Sequence, residues 1–141
     1  MRRILGIDYG RVRVGLAISD PLGIIAQPLS VVSNTSADAL LDALEHVISE
    51  RGVTRIVVGL PLRLDGTEGE AASAVRIFAD GLGQRFGVPV ALWDERMTTA
   101  QAERAMLDAD LSRAKRRKRR DKVAAQILLQ SYLDAHRDDA P

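Results

Sequence analysis

Cysteine is absent from the 141 residues, which excludes disulfides, zinc–thiolate centres, thiol catalysis and thiol redox sensing. Aromatic side chains are scarce: one Trp, two Tyr and two Phe. Stacking platforms of the kind used by dedicated single-strand binders are therefore not expected. No stretch approaches the roughly 20 apolar residues of a membrane helix. The first apolar run, Ile4-Leu5-Gly6-Ile7, is too short for a signal peptide and ends at Asp8. Histidine occurs only at positions 46 and 136, far apart in sequence, and no catalytic role is assigned to either. A soluble, cytoplasmic protein is expected, folded as one domain over 1–141 with a flexible tail at 134–141. A chain of this length buries roughly 70% of its unfolded surface and needs no covalent staple.

What is present in excess is local charge. The net charge is only +1, but residues 113–122 carry eight basic side chains and one acid, a local +7 that includes all three lysines. The other 131 residues hold 12 basic and 18 acidic groups, a balance of −6. One concentrated basic segment on a near-neutral chain points to a polyanionic partner, although a solvated helix end would carry the same pattern.

The first third reads as three strands joined by short turns: Ile4 to Asp8, Val14 to Ile18, and a third run from Ile24 to Val32 interrupted by Pro28. Connections this short impose antiparallel pairing. Helices and strands then alternate. Ser36 is an N-cap for a helix with Leu40, Leu41, Leu44, Val47 and Ile48 on one face. Arg55 to Val58 is a strand, and Pro61 to Gly69 a polar loop that could contact substrate or act as a lid. A second helix presents Ala71, Ala74, Val75, Phe78 and Leu82. A strand follows from Val88 to Trp93. Thr98 with Gln101 opens a third helix through Leu111 as a capping box. The basic run leads into a last helix beginning at Asp121. Three hairpin-linked strands followed by crossovers predict an α/β domain with a mixed sheet, three antiparallel strands then two parallel, flanked by helices.

Three carboxylates stand where the local pattern does not require them. Asp8 ends the first strand, Glu95 follows the strand ending at Trp93, and Asp121 shares a helical stripe with Ala125, Leu128 and Tyr132. Any one alone is most simply a turn or capping residue. If the first strand is central and the strand ending at Trp93 runs parallel to it, Asp8 and Glu95 emerge at one edge, and a helix brought over that edge adds Asp121. Grouped carboxylates repel, and a hard divalent cation relieves the repulsion; oxygen ligands favour Mg²⁺ or Mn²⁺. Such ions activate water and stabilise the leaving oxygen of a phosphodiester. The adjoining basic run would hold the substrate backbone.

The motifs Ile7-Asp8-Tyr9-Gly10 with Arg13-Val14-Gly15, then Gly59-Leu60-Pro61, Asp65-Gly66-Thr67, Asp94-Glu95-Arg96 with Thr98-Thr99, and Asp121 with Ala124-Ala125 and Ile127 to Gln130, resemble the bacterial YqgF (RuvX) family. The resemblance runs from about Ile4 to Leu133. It implies a ribonuclease H-like fold and a nuclease of pre-16S rRNA, described also as Holliday-junction-resolvase-like. Carried over by position, Asp8, Glu95 and Asp121 are the implied catalytic metal ligands, and Glu95 is preferred over Asp94. The chain departs at Val12, where the family often has lysine; this weakens one expected phosphate contact near Asp8, for which the dense basic run from Arg113 could compensate.

The expectation is a Mg²⁺- or Mn²⁺-dependent endonuclease of structured RNA in ribosome biogenesis. Arg13, Arg96, Lys115, Arg116, Arg117, Lys118, Arg119, Arg120 and Lys122 would hold phosphates. For Arg96 the simpler reading is a surface salt bridge with Asp94. Cleavage of branched DNA is the enzymatic alternative and would favour a homodimer over a monomer. A non-catalytic nucleic-acid-binding assembly factor on the same fold is the alternative from another class. A P-loop reading of Asp8 to Gly15 fails for want of Lys-Ser/Thr. An actin-like or sugar-kinase reading lacks the second domain that would clamp the nucleotide.

Overall fold

The computed structural model describes residues 3–97 and 113–137, with backbone alone for 97 and 113–120. Strands β1 (Arg3–Asp8), β2 (Arg13–Ser19) and β3 (Ala26–Ser33) are followed by α1 (Ala37–Arg51), β4 (Val53–Leu60), α2 (Glu70–Phe86), β5 (Val90–Asp94) and a 3₁₀ turn (Glu95–Met97). A helix over Arg113–Ala135 closes the described chain and is α3 here. The strands form one sheet in the order β3-β2-β1-β4-β5. β1 and β3 each pair antiparallel with β2, and β1–β4 and β4–β5 are parallel.

Alternation along the strands loads both faces of this sheet. Leu5, Ile7, Val14, Leu16, Ile56 and Val58 are buried on the side that takes Leu40 and Leu44 of α1 and Val75 and Leu82 of α2. Ala17 and Val57 lie on the other side, with Ala125, Leu129, Tyr132 and Leu133 of α3. Leu40 and Leu44 are 1% and 0% exposed. Burying each contributes about 1.5–3 kcal/mol, which fastens α1 to the sheet. Ser36 caps α1 by accepting from the Ala39 N–H. Pro28 is accommodated because β3 is an edge strand, and a register irregularity falls between its partner Ala17 and Leu16.

Two expectations need correction. The inward stripe of α2 is Ala72, Val75, Ala79 and Leu82, whereas Ala71 and Ala74 are exposed. The last helix does not begin at Asp121. It begins at Arg113, so the basic segment is itself helical and Asp121 lies about two turns inside. The helix expected from Thr98 to Leu111 and part of the flexible tail (138–141) lie outside the described residues.

The topology fixes where chemistry can sit. β1, β4 and β5 are parallel, so their carboxyl ends share one edge. The turn into β2 and the Asp121 turn of α3 reach the same edge, because Gly15 of β2 faces Asp8 in the ladder and lies against the Asp121 backbone. In open α/β sheets this is where ligands bind.

Candidate active site

A cleft of about 430 Å³ opens at that edge, and Asp8, Glu95 and Asp121 all line it, with Arg13 beside them. Tyr9 and Gly10 from the turn after β1, Pro61 from the end of β4 and Ala71 from α2 complete its wall. The ring of Tyr9 packs on Phe78, with centroids 4.5 Å apart, which holds that turn against α2. The three acids that break the sequence pattern are thus brought to one place. Glu95 lines the cleft and Asp94 does not.

The Asp121 side chain is 18% exposed and that of Arg13 31%, and Arg13 Nε donates to Asp121 Oδ2 at 2.8 Å. Among the described residues, no three of His, Asp and Glu are grouped closely enough to form a metal cage by themselves. Asp8, Glu95 and Asp121 thus share the cleft as separate oxygen donors. The donor chemistry fits a hard divalent cation, since every acidic group on the cleft is a carboxylate and no thiol or imidazole is among its walls.

Two residues that sequence reasoning passed over as turn and motif glycines set the positions of the acids. A Cβ at Gly59 would lie 2.6 Å from Glu95 Oε1, so the Glu95 side chain rests on the bare backbone of β4. A Cβ at Gly15 would collide with the Asp121 carbonyl oxygen. The helix carrying Asp121 therefore comes down onto β2 only because that position lacks a side chain.

Arg96, expected to hold phosphate, is engaged with protein. Its Nη2 lies 2.8 Å from Asp94 Oδ2, its backbone N–H donates to Asp94 Oδ1, and its Nη1 donates to the Leu64 carbonyl at 3.3 Å. The Arg96 hydrogen bond is the main cause holding the Asp94 carboxyl below its ordinary range. Arg96 thus ties the end of β5 to the loop 61–69. That loop is a small hairpin: Leu62 bridges Glu68, the Arg63 N–H donates to the Thr67 carbonyl, and Asp65 accepts from both the backbone and the hydroxyl of Thr67. Those Thr67 bonds, the hydroxyl's first, hold the Asp65 carboxyl low.

The remaining expected site residues divide. Lys122 follows Asp121 on α3 and is half-buried. The side chains of Lys115, Arg116, Arg117, Lys118, Arg119 and Arg120 lie outside the described residues, although their backbone is helical. His46 is exposed. Asp20 is a turn former at the opposite edge, accepting from the Ile24 and Ile25 N–H groups.

The same architecture occurs in solved resolvases. A Thermus thermophilus RuvC in complex with a Holliday junction superposes with a TM-score of 0.61 at 18% identity, covering 98% of this chain and 97% of that one. The fowlpox virus Holliday junction resolvase gives 0.55 at 14%, covering 94% and 99%. The fold is thus that of the ribonuclease H-like class. Within that class the sequence is more specific: a family model, RuvX, described as Holliday junction resolvase, matches residues 2–135. A Myxococcus xanthus protein named "Putative pre-16S rRNA nuclease" is 53% identical over 135 residues, 96% of this chain and 89% of the relative. A Geobacillus kaustophilus protein of the same name is 47% identical over 137 residues, 96% and 99%. The chain belongs to the RuvX family.

Proposed function

We infer that this chain is a divalent-metal-dependent endonuclease that hydrolyses phosphodiester bonds, with precursor 16S rRNA as its substrate. The observation that carries the reading is the convergence of Asp8, Glu95, Asp121 and Arg13 on one cleft at the carboxyl edge of the sheet. Carboxylates gathered where a polyanion must approach would only weaken a simple binder. They are useful to a nuclease because they hold cations. The names of relatives at 53% and 47% identity support the substrate assignment.

Asp8, Glu95 and Asp121 would hold Mg²⁺ or Mn²⁺ together with a substrate phosphate. The bound metal would supply Lewis-acid activation of water and stabilisation of the leaving oxygen. Arg13 keeps Asp121 in place and has further N–H donors for a phosphate oxygen. The tyrosine and proline walls confine the scissile group. Lys122 and the basic residues 113–120 hold the flanking backbone, which favours shape over base sequence. Arg96 acts by positioning the loop 61–69 and, where that loop meets substrate, by lending charge to it.

Cleavage of branched DNA is the second reading, favoured by the family description and by the RuvC fold. Purified protein and Asp8→Asn, incubated with pre-16S rRNA and four-way DNA junctions with Mg²⁺, Mn²⁺ or chelator, decide among the readings. Metal-dependent cutting of the RNA, lost in Asp8→Asn, is expected. Preferential cutting of junctions moves the assignment to a resolvase. Tight, salt-sensitive binding without cutting, unchanged by Asp8→Asn, defeats both enzymatic readings in favour of an assembly factor.

A further inference from the structure

Two large apolar side chains stand in solvent on loops that leave the sheet at the edge where the cleft opens. Leu64 is 97% exposed at the tip of the 61–69 hairpin, and Val12 is 67% exposed in the turn between β1 and β2. Single exposed apolar residues are common and by themselves signify little. These two combine a tied backbone with a place on the loops at the acids' edge of the sheet, whereas Leu22, Ile24 and Ile25, also exposed in a turn tied through Asp20, lie at the opposite edge. The Leu64 carbonyl accepts from Arg96, and the hairpin behind it is closed by the Arg63–Thr67 backbone bond and the Asp65–Thr67 pair. The Val12 carbonyl accepts from the Asn34 N–H, and Asn34 Nδ2 donates to the Gly10 carbonyl in the same turn. Each side chain is thus held out on a backbone pinned from behind, with little ordering entropy left to lose on contact.

Their surroundings select the partner. Val12 stands between Arg11 and Arg13, and Leu64 between Arg63 and Asp65, whose carboxylate is turned onto Thr67. A partner protein's helix or sheet needs a continuous apolar face, whereas here isolated apolar tips are flanked by charged residues, mostly arginines. A nucleotide has the matching alternation: an apolar base face with a phosphate one sugar away. Apolar side chains that enter a base step are an established means of unstacking it. The loops bearing both tips leave neighbouring strands β1 and β4 at the edge that carries the acids.

We propose that Leu64 and Val12 are wedges that enter the base stack beside the phosphate held in the cleft, so that the protein selects unpaired or distorted nucleic acid over continuous duplex. This rests on the nuclease reading for the identity of the polymer and adds the feature that chooses the site along it. The arginine neighbours keep the backbone, while the wedges sense whether a base can be parted from its neighbour. In a continuous duplex the full unstacking cost opposes entry, and at a bulge or junction most of it is already met.

The test uses a stem–loop RNA carrying 2-aminopurine at a bulge and a matched continuous duplex, with chelator present so that no strand is cut. Wild type is expected to raise the fluorescence of the bulged probe and to bind it about tenfold more tightly than the duplex. In the Leu64→Ser, Val12→Ser double variant the rise and the preference disappear, while the salt dependence of binding and the thermal midpoint stay as in wild type. An unchanged rise and preference in the double variant overturn the proposal. So do a variant that loses RNA affinity equally for both probes, and one that binds both as wild type does while losing capture by ribosomal particles, which would make the tips a protein-binding feature. Cleavage with metal restored is scored separately. Cutting without wedge-dependent fluorescence defeats the wedges alone, and wedge-dependent fluorescence without cutting defeats the nuclease reading alone.

Discussion

Asp8, Glu95 and Asp121 are legible in the sequence because a carboxylate at the end of an apolar strand, or on the inward stripe of a helix, needs a reason. Arg96 is legible only as two readings, a phosphate contact or an ion pair with Asp94, and the fold shows the ion pair. The glycines are harder still, since close approach of two backbones depends on tertiary packing. They also yield the sharpest contrast between two substitutions. A Cβ at Gly15 meets the Asp121 carbonyl, which is backbone and cannot swing away. Gly15→Ala is therefore expected to cost about 2–3 kcal/mol by displacing α3, measurable by denaturant unfolding. A Cβ at Gly59 meets chiefly the Glu95 side chain, which can rotate, with a methyl of buried Leu128 at 3.1 Å as the lesser obstacle. Gly59→Ala should unfold within about 0.5–1 kcal/mol of wild type yet cleave about ten- to a hundredfold more slowly, because a displaced group in a positioned site loses rate steeply. Equal loss of stability in the two variants would refute the cradle at Gly59.

The strands and their order are readable from short turns and β-branched runs, and the crossover helices from their periodicity. Phase is what sequence leaves open. Ala71, Ala72, Ala74 and Ala79 are chemically alike, so their spacing cannot say which alanines turn inward, and only packing against β4 and β5 selects Ala72 and Ala79. The helical start at Arg113 is hidden for a different reason: like charges three and four apart oppose a helix, which argues for a loop until the helix is seen to continue from its buried half. The loop 61–69 is tied to β5 through Arg96, and this connection has a pH signature. Asp94 is held low by Arg96 in the folded chain, so its contribution is present above the ordinary aspartate range and is lost as pH falls through the depressed value. Arg96→Gln should melt at lower temperature than wild type from pH 5 to 7, and the gap should begin to narrow below about pH 4 and vanish only below the depressed value. The same variant should be nicked faster by protease within 61–69. A gap that persists at low pH would mean that the pair does not account for it.

At the scale of the whole molecule, the charge map is the most direct reading from sequence: a +7 segment on a body of balance −6. It lies on α3, the helix that also carries Asp121, so the binding and the chemistry proposed above would share one rod. Replacing Lys115, Arg116 and Arg119 with Gln should weaken RNA binding across sequences. It should also reduce the slope of log affinity against log salt by about 0.7 for each phosphate that is no longer neutralised. Asp8→Asn should leave that slope unaltered, and a slope insensitive to the basic segment would detach it from the substrate. The ladder at the site edge carries a last implication. Asp8 faces Gly15 across β1 and β2, and Gly15 seats the turn of α3 that bears Asp121. One rung therefore sets two acids at once. A chain that slipped by a single residue would bring Val14 or Leu16 to that rung, and a side chain would stand where the helix must settle. Such a register isomer could keep its basic segment and still adhere to RNA, but its acids would not meet. Turnover is then an assay of strand register, and a mispaired copy is silenced by its own geometry.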